Sequence, residues 1–294
     1  MERIVVEDEN IRLDQYISNV MDISRSKIQK LIKQDKIKVN QKIEKGSYLV
    51  KINDLIEIDS ELNFDIKVEA KKIDLDIVYE DQYLMIINKK SGMVVHPAPG
   101  HYDDTMVNAL LYHFNIKETT NIRVGIVHRL DKDTSGLMVV AKEDKVLDKL
   151  SEMIKEKKVK RHYIALVDGI IGPDSGTIDA PIGRDTHYRE KMMVTDINSK
   201  EAITHFKVLD RYKNNTLVEC ILETGRTHQI RVHMAYISHP ITNDPIYNKK
   251  KATSFGQMLH SKSIEFIHPI TNQKIFFEVE PPKEFMEILD KIEK

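Results

Sequence analysis

Beyond residue 76 the apolar segments are short, and those that read as strands outnumber the helical patterns without alternating with them. This excludes a doubly wound sheet of repeated strand–helix units, because parallel strands need a crossover, usually a helix, between each pair. Residues 84–88, 93–96, 137–141, 163–167, 202–209 and 217–222 read as strands. Helices are predicted over 105–114, where Val107, Leu110, Leu111 and Phe114 align, after Ala141, where Leu147, Leu150 and Ile154 fall in register, and from about Thr227. The fold class is therefore α+β, on a mixed, mostly antiparallel sheet.

Ahead of that domain lies a smaller α/β pattern. An opening helix carries Leu13, Ile17, Val20 and Met21, and a second helix, with Ser24 able to cap it, carries Ile28, Leu31 and Ile32 on one side. That stripe leaves Arg25, Lys27, Lys30 and Lys33 facing water. Strands at 36–39 and 55–58, with a turn at Asn40–Gln41, complete a module at residues 11–60. Residues 61–76 are charged and lack periodicity, as a linker does, so the second domain spans 77–294.

The whole chain carries a net charge of -1, which advertises no polyanionic partner. Between Ile23 and Lys51, however, nine Lys or Arg stand against Asp35 and Glu44, a local excess of +7 that can anchor nucleic acid. The single cysteine, Cys220, excludes an internal disulfide and zinc sites built on paired cysteines. No apolar run approaches the roughly 20 residues a bilayer span needs, so no membrane is expected, and the cytoplasm is the expected compartment.

Two polar clusters stand out. In residues 125–144, His128, Arg129, Asp131, Lys132, Asp133, Thr134 and Ser135 sit between two apolar strands, where a rigid scaffold can present chemistry, although turn composition alone would explain them as well. In residues 222–234, a strand and a Thr224–Gly225 turn lead into a helix with Arg226 at its start, a place suited to an anion. His228, His233 and His239 are spaced five and six apart, which does not fit ligand pairs on a helix, so no metal is expected. Ser135 lies in TSG and not in a GxSxG elbow, and no phosphate-cradling glycine loop precedes a helix.

The first module, with IRLDQYISNV and SRSKIQKLIKQDKIKVN, resembles the S4 RNA-binding domain, with Asp35–Lys36 where a glycine is common. HRLDKDTSGL at 128–137, YIALVDG at 163–169, APIGR at 180–184, TGRTHQIRVH at 224–233 and HPI at 239–241 together resemble the RluA/RluD family of pseudouridine synthases. HRLD, where the related RsuA-type enzymes usually have GRLD, favours this family over that type, and the resemblance implies large-subunit ribosomal RNA as the substrate. The resemblance implies isomerisation of uridine without a cofactor, by a monomer. Asp131 would attack the sugar C1′ or take a proton from C2′, Arg226 would pair with it, and Tyr163 would stack on the uracil. Arg129, with His128, would contact RNA where the uridine leaves its helix, and Arg25, Lys27, Lys30, Lys33 and Lys38 would supply affinity. Transfer RNA as substrate, and a non-catalytic ribosome-assembly factor, are the alternatives.

Overall fold

The computed structural model describes the chain except for residues 1, 22–24, 60–66, 99, 121–122, 187, 189, 251–252, 254 and 294. Ser24 and the side chain of Lys27 lie outside the described residues. The chain divides into two compact units, residues 1–66 and 67–294.

The smaller unit contains strand β1 (Glu2–Val5), helices α1 (Leu13–Met21) and α2 (Arg25–Lys33), and strands β2 (Ile37–Val39), β3 (Lys42–Ile43) and β4 (Leu55–Ile58). Its sheet runs β1-β4-β2-β3. Leu13 and Ile17 of α1 and Ile28, Leu31 and Ile32 of α2 pack on Ile37, Val39 and Ile56. Val20, read as part of the α1 stripe, is instead exposed. Strand β1 pairs with β4, Glu2 opposite Ile58, so the sheet of this unit takes in a strand that precedes residue 11. Helix α2 ends in a Schellman motif: Lys36 N–H reaches the Leu31 carbonyl, Asp35 N–H reaches that of Ile32, and Asp35 takes the left-handed φ of 58° that glycine commonly fills. Asn40 and Gln41 both have positive φ, 50° and 65°, as a two-residue hairpin turn demands.

The larger unit contains β5 (Val68–Glu69), β6 (Ile77–Glu80), β7 (Leu84–Lys89), α3 (Met106–His113), β8 (Glu118–Thr119), β9 (Ser135–Ala141), α4 (Asp144–Lys155), β10 (Lys160–Asp168), β11 (Ser175–Asp179) and β12 (Ile182–Arg184). It continues with β13 (Met192–Val194), β14 (Ile203–Arg211), β15 (Asn215–Leu222), α5 (Gln229–Tyr236), β16 (Leu259–Ile267), β17 (Lys274–Glu278) and α6 (Lys283–Asp290). The main sheet runs β11-β14-β15-β10-β16-β9-β7-β6, with β17 also on β16. Among the described residues only β16 and β9 pair in parallel; the other pairings in this sheet are antiparallel, as the α+β reading expects.

Strand β9 is buried along its whole length because the sheet is covered on both faces there. Met138 and Val140 join the core shared with α3 and with Phe285 of α6. Leu137, Val139 and Ala141 face the other core, with Val146 and Leu150 of α4.

Two expectations are corrected. Residues 67–76 belong to the larger unit, because β5 pairs with β8, Lys71 N–H donates to Asn108 and Asn88 N–H donates to Asp76; the expected linker does not extend past residue 66. Residues 93–96 form no strand: the Val94 and Val95 carbonyls accept from the Met106 and Val107 amides at the start of α3, so the segment, with Val95 buried, serves as a helix cap.

Candidate active site

The loop before β9 carries Asp131, and its backbone is held from below. Lys89, at the end of β7, is 1% exposed, and its Nζ donates to the carbonyls of Lys90 (3.0 Å), Met93 (2.9 Å) and Lys132 (2.8 Å). Burial lowers the Lys89 ammonium to about 7, against the opposing pull of Asp131 and Asp133. Gln257 donates to Thr134 Oγ1 at 3.0 Å, and Ser135 Oγ lies 2.9 Å from His260 Nδ1. Gly136 has φ +108°, and a Cβ there would stand 2.2 Å from the Ser261 carbonyl oxygen, so only glycine lets β9 approach β16 at this point.

Helix α5 approaches the same loop. Gln229 closes its entry turn, its Oε1 accepting from Arg226 N–H (2.9 Å) and Thr224 Oγ1 (2.8 Å), while its Nε2 donates to Ile203 O and Thr204 Oγ1. Two residues on, Arg231 is 3% exposed and spans two carboxylates. Its Nε and Nη2 donate to Asp244 at 2.7 and 2.9 Å, and its Nη1 donates to Asp131 Oδ2 at 3.0 Å. Burial alone would raise the Asp244 carboxyl, but the Arg231 fork outweighs it and holds it below the ordinary range. His228 Nε2 stands 3.8 Å from Asp131 Oδ1, its Nδ1 is 2.8 Å from the Tyr247 hydroxyl, and burial lowers its basicity.

Asp131 opens on a cavity of about 830 Å³, a size that accepts a nucleotide. Leu130, Tyr163 and Ile230, each 4% exposed, line it, together with Arg129 and Arg226. Burial raises the Tyr163 phenol above its ordinary value. A carboxylate fixed by a guanidinium beside an aromatic ring, in a cavity of this size, can act on the sugar of a nucleoside whose base lies on the ring.

The sequence-predicted residues separate on this geometry. Asp131, Tyr163, Arg129 and Arg226 line one cavity, but Arg226 does not pair with Asp131: its Nε donates to the Glu201 carbonyl at 2.8 Å, and the pairing expected of it is made by Arg231. Arg231 was legible in principle, since an arginine among Ile230, Val232 and Met234 in a short helix has to be buried with a counter-charge. His128 also lines the cavity, yet its Nε2 accepts from Val139 N–H and its Nδ1 is buried. Burial, aided by nearby Arg161, pushes its pKa down to about 3, so it is neutral and offers no charge to RNA. In the smaller unit, Arg25 pairs with the buried Asp14 at 3.2 Å, which engages it within the fold, while Lys30, Lys33 and Lys38 are exposed.

His233 bonds to Thr204 and Ala180 and His239 to Asp168, so the three histidines weighed as ligands serve separate structural contacts. Among the described residues no group of three or more His, Cys, Asp or Glu side chains could hold a metal, and no helix is long and apolar enough to cross a membrane.

Comparison with known proteins places this chain in a family. The sequence model of RNA pseudouridylate synthases matches residues 83–236, and that of the S4 domain matches residues 11–56. An uncharacterised RNA pseudouridine synthase of Bacillus subtilis is 44% identical over 98% of this chain and 96% of its own. The ribosomal large subunit pseudouridine synthase D of Zymomonas mobilis is 39% identical over 99% and 97%, and that of Pseudomonas aeruginosa 40% over 95% and 91%. Among solved structures, human RNA pseudouridylate synthase domain containing 1 superposes with a TM-score of 0.60 at 26% identity, covering 72% of this chain and 86% of the other. Asp131, Tyr163 and Arg231 thus sit within the matched region of a chain that belongs to the RNA pseudouridylate synthase family and carries an N-terminal S4 domain.

Proposed function

We propose that this enzyme isomerises uridines of large-subunit ribosomal RNA, with Asp131 as the group that acts on the ribose. The observation that carries the reading is the buried fork of Arg231, which fixes the Asp131 carboxylate at 3.0 Å in the wall of a nucleotide-sized cavity. In the reaction the N1–C1′ bond breaks, the uracil turns, C5 bonds to C1′, the C5 proton leaves and N1 gains one. The net change is zero, so no cofactor is consumed. The Asp131 carboxylate serves as nucleophile at C1′ or as base at C2′. Tyr163 stacks on the uracil, and Arg129 takes the place vacated in the RNA helix. The large-subunit assignment draws on the names of the Zymomonas and Pseudomonas relatives and on the S4 domain.

The test is pseudouridine mapping of total RNA from cells with and without the gene. Sites are expected to vanish from large-subunit ribosomal RNA and to return with the wild-type gene but not with Asp131→Asn. Loss confined to transfer RNA would move the substrate, and restoration by Asp131→Asn would remove Asp131 from its role.

A further inference from the structure

Arg161 lies on β10 two residues before Tyr163, and both side chains line the cavity. It is 4% exposed, as deeply buried as Arg231 at 3%. The two arginines differ in what meets them. Arg231 spans two carboxylates, whereas Arg161 has no hydrogen-bond or ion-pair partner among the described residues, and its Nε is buried without an acceptor.

Of the carboxylates that line the cavity, Glu201 is exposed and the other two are bound by other cations. Glu223 is bound by Lys157 and His205, and Asp131 is bound by Arg231. The turn opposite lies close to the guanidinium: a Cβ on Gly225 would stand 3.0 Å from Arg161 Nη1 and 3.7 Å from Nη2, so a side chain there would crowd that edge of the fork and the glycine does not. A permanently charged group buried without a carboxylate partner is costly unless a ligand brings the counter-charge. The cavity wall is the open side from which one can come.

We propose that Arg161 is a phosphate subsite, receiving the non-bridging oxygens of a phosphodiester next to the uridine that enters the cavity. Uracil and ribose offer only neutral acceptors, which would leave the charge uncompensated, whereas a phosphodiester presents one negative charge over two oxygens in the spacing a guanidinium fork matches. The inference rests on the reading of the cavity as a uridine site and adds which backbone charge is held there.

The test uses the full chain and two small probes, uridine and uridine 3′,5′-bisphosphate. Binding is read through the methyl resonances of Leu130 and Ile230, which line the cavity. Wild type is expected to bind the bisphosphate at least tenfold more tightly than uridine. Arg161→Met should erase that preference with the affinity for uridine unchanged, and Arg161→Lys should keep part of it. Arg161→Met should also melt no lower than wild type, because it removes an unpaired buried charge; a drop in melting temperature would mark Arg161 as a structural residue and overturn the proposal. Equal binding of the two probes by wild type, or a preference that survives in Arg161→Met, would overturn it while leaving the uridine site standing. Failure of both probes to move the cavity methyls would remove the uridine site itself, and this inference with it.

Discussion

At the scale of single residues, the site turns on which arginine holds Asp131. Arg231 gives three charge-assisted hydrogen bonds to two carboxylates from a buried position, while Arg226 gives one to a carbonyl at the surface. Replacing Arg231 with Met leaves Asp131 and Asp244 facing each other without a cation. Breaking a buried pair from one side costs about 3–5 kcal/mol, so Arg231→Met is expected to lose both stability and at least a hundredfold in kcat. Arg226→Ala, which frees no buried charge, should change kcat by less than about tenfold. Single-turnover assays of the two variants check the assignment, and the reverse order would return the role to Arg226. This error of reading has a physical source. Sequence places both arginines within six residues, and an arginine at a helix start is a sound anion site in general, but the phase of α5 decides which one faces Asp131. Asp131 and Tyr163 needed no such phase, since each sits in a motif that names it. Lys89 was invisible for another reason: a lysine between Asn88 and Lys90 at the end of a strand reads as surface, and only the closure of β7 under the loop buries it.

At the scale of elements, the strands were legible where burial made them apolar on both faces, as in β9, and the pattern misled where an apolar segment packs without a ladder, as at Val94–Val95. Strand β1 escaped notice because its run is brief and flanked by charge. The helices of the small unit are joined by a contact that periodicity cannot show. Asp14 of α1 is fully buried and accepts from Arg12 (3.1 Å), Gln29 (2.8 Å) and Arg25 (3.2 Å), the last two from α2. Burial alone would raise its carboxyl, but these donors outweigh burial and hold it well below the ordinary carboxylate range. A carboxyl depressed on folding contributes stability that is complete above its unfolded pKa, about 3.9, and is lost as the pH falls below that. Asp14→Asn is therefore expected to destabilise this unit by about 2–3 kcal/mol at pH 7, with the difference from wild type shrinking below about pH 4. Hydrogen exchange at the Ile17 and Ile28 amides, compared between the two proteins at each pH, reads the effect; a difference independent of pH would mean that the charge of Asp14 is not what ties α1 to α2.

At the scale of the molecule, the division of labour between the two units follows from charge. Residues 1–66 contain eleven Lys or Arg and thirteen Asp or Glu, so the unit as a whole is not basic; the +7 lies within 23–51, and acidic residues gather at the ends. Attraction to RNA must then come from particular side chains and not from a net field. Arg25 is bound to Asp14 and Lys36 to Asp59; Lys30, Lys33 and Lys38 are exposed on α2 and on β2, and they are the expected phosphate contacts. Each phosphate neutralised adds about 0.7–0.9 to the slope of log affinity against log salt. Changing the three lysines to Ala is thus expected to weaken RNA binding and to flatten that slope by about 2–3, provided all three reach phosphate. The turnover rate at saturating RNA should stay within about twofold of wild type, because Asp131, Arg231 and Tyr163 all belong to the unit of residues 67–294. Filter binding across a salt series and single-turnover isomerisation separate the two effects. An unchanged slope would place the anchoring charges elsewhere. A fall in saturated turnover would mean instead that the small unit does more than hold the RNA, and that its contacts set the angle at which the uridine is delivered to Asp131.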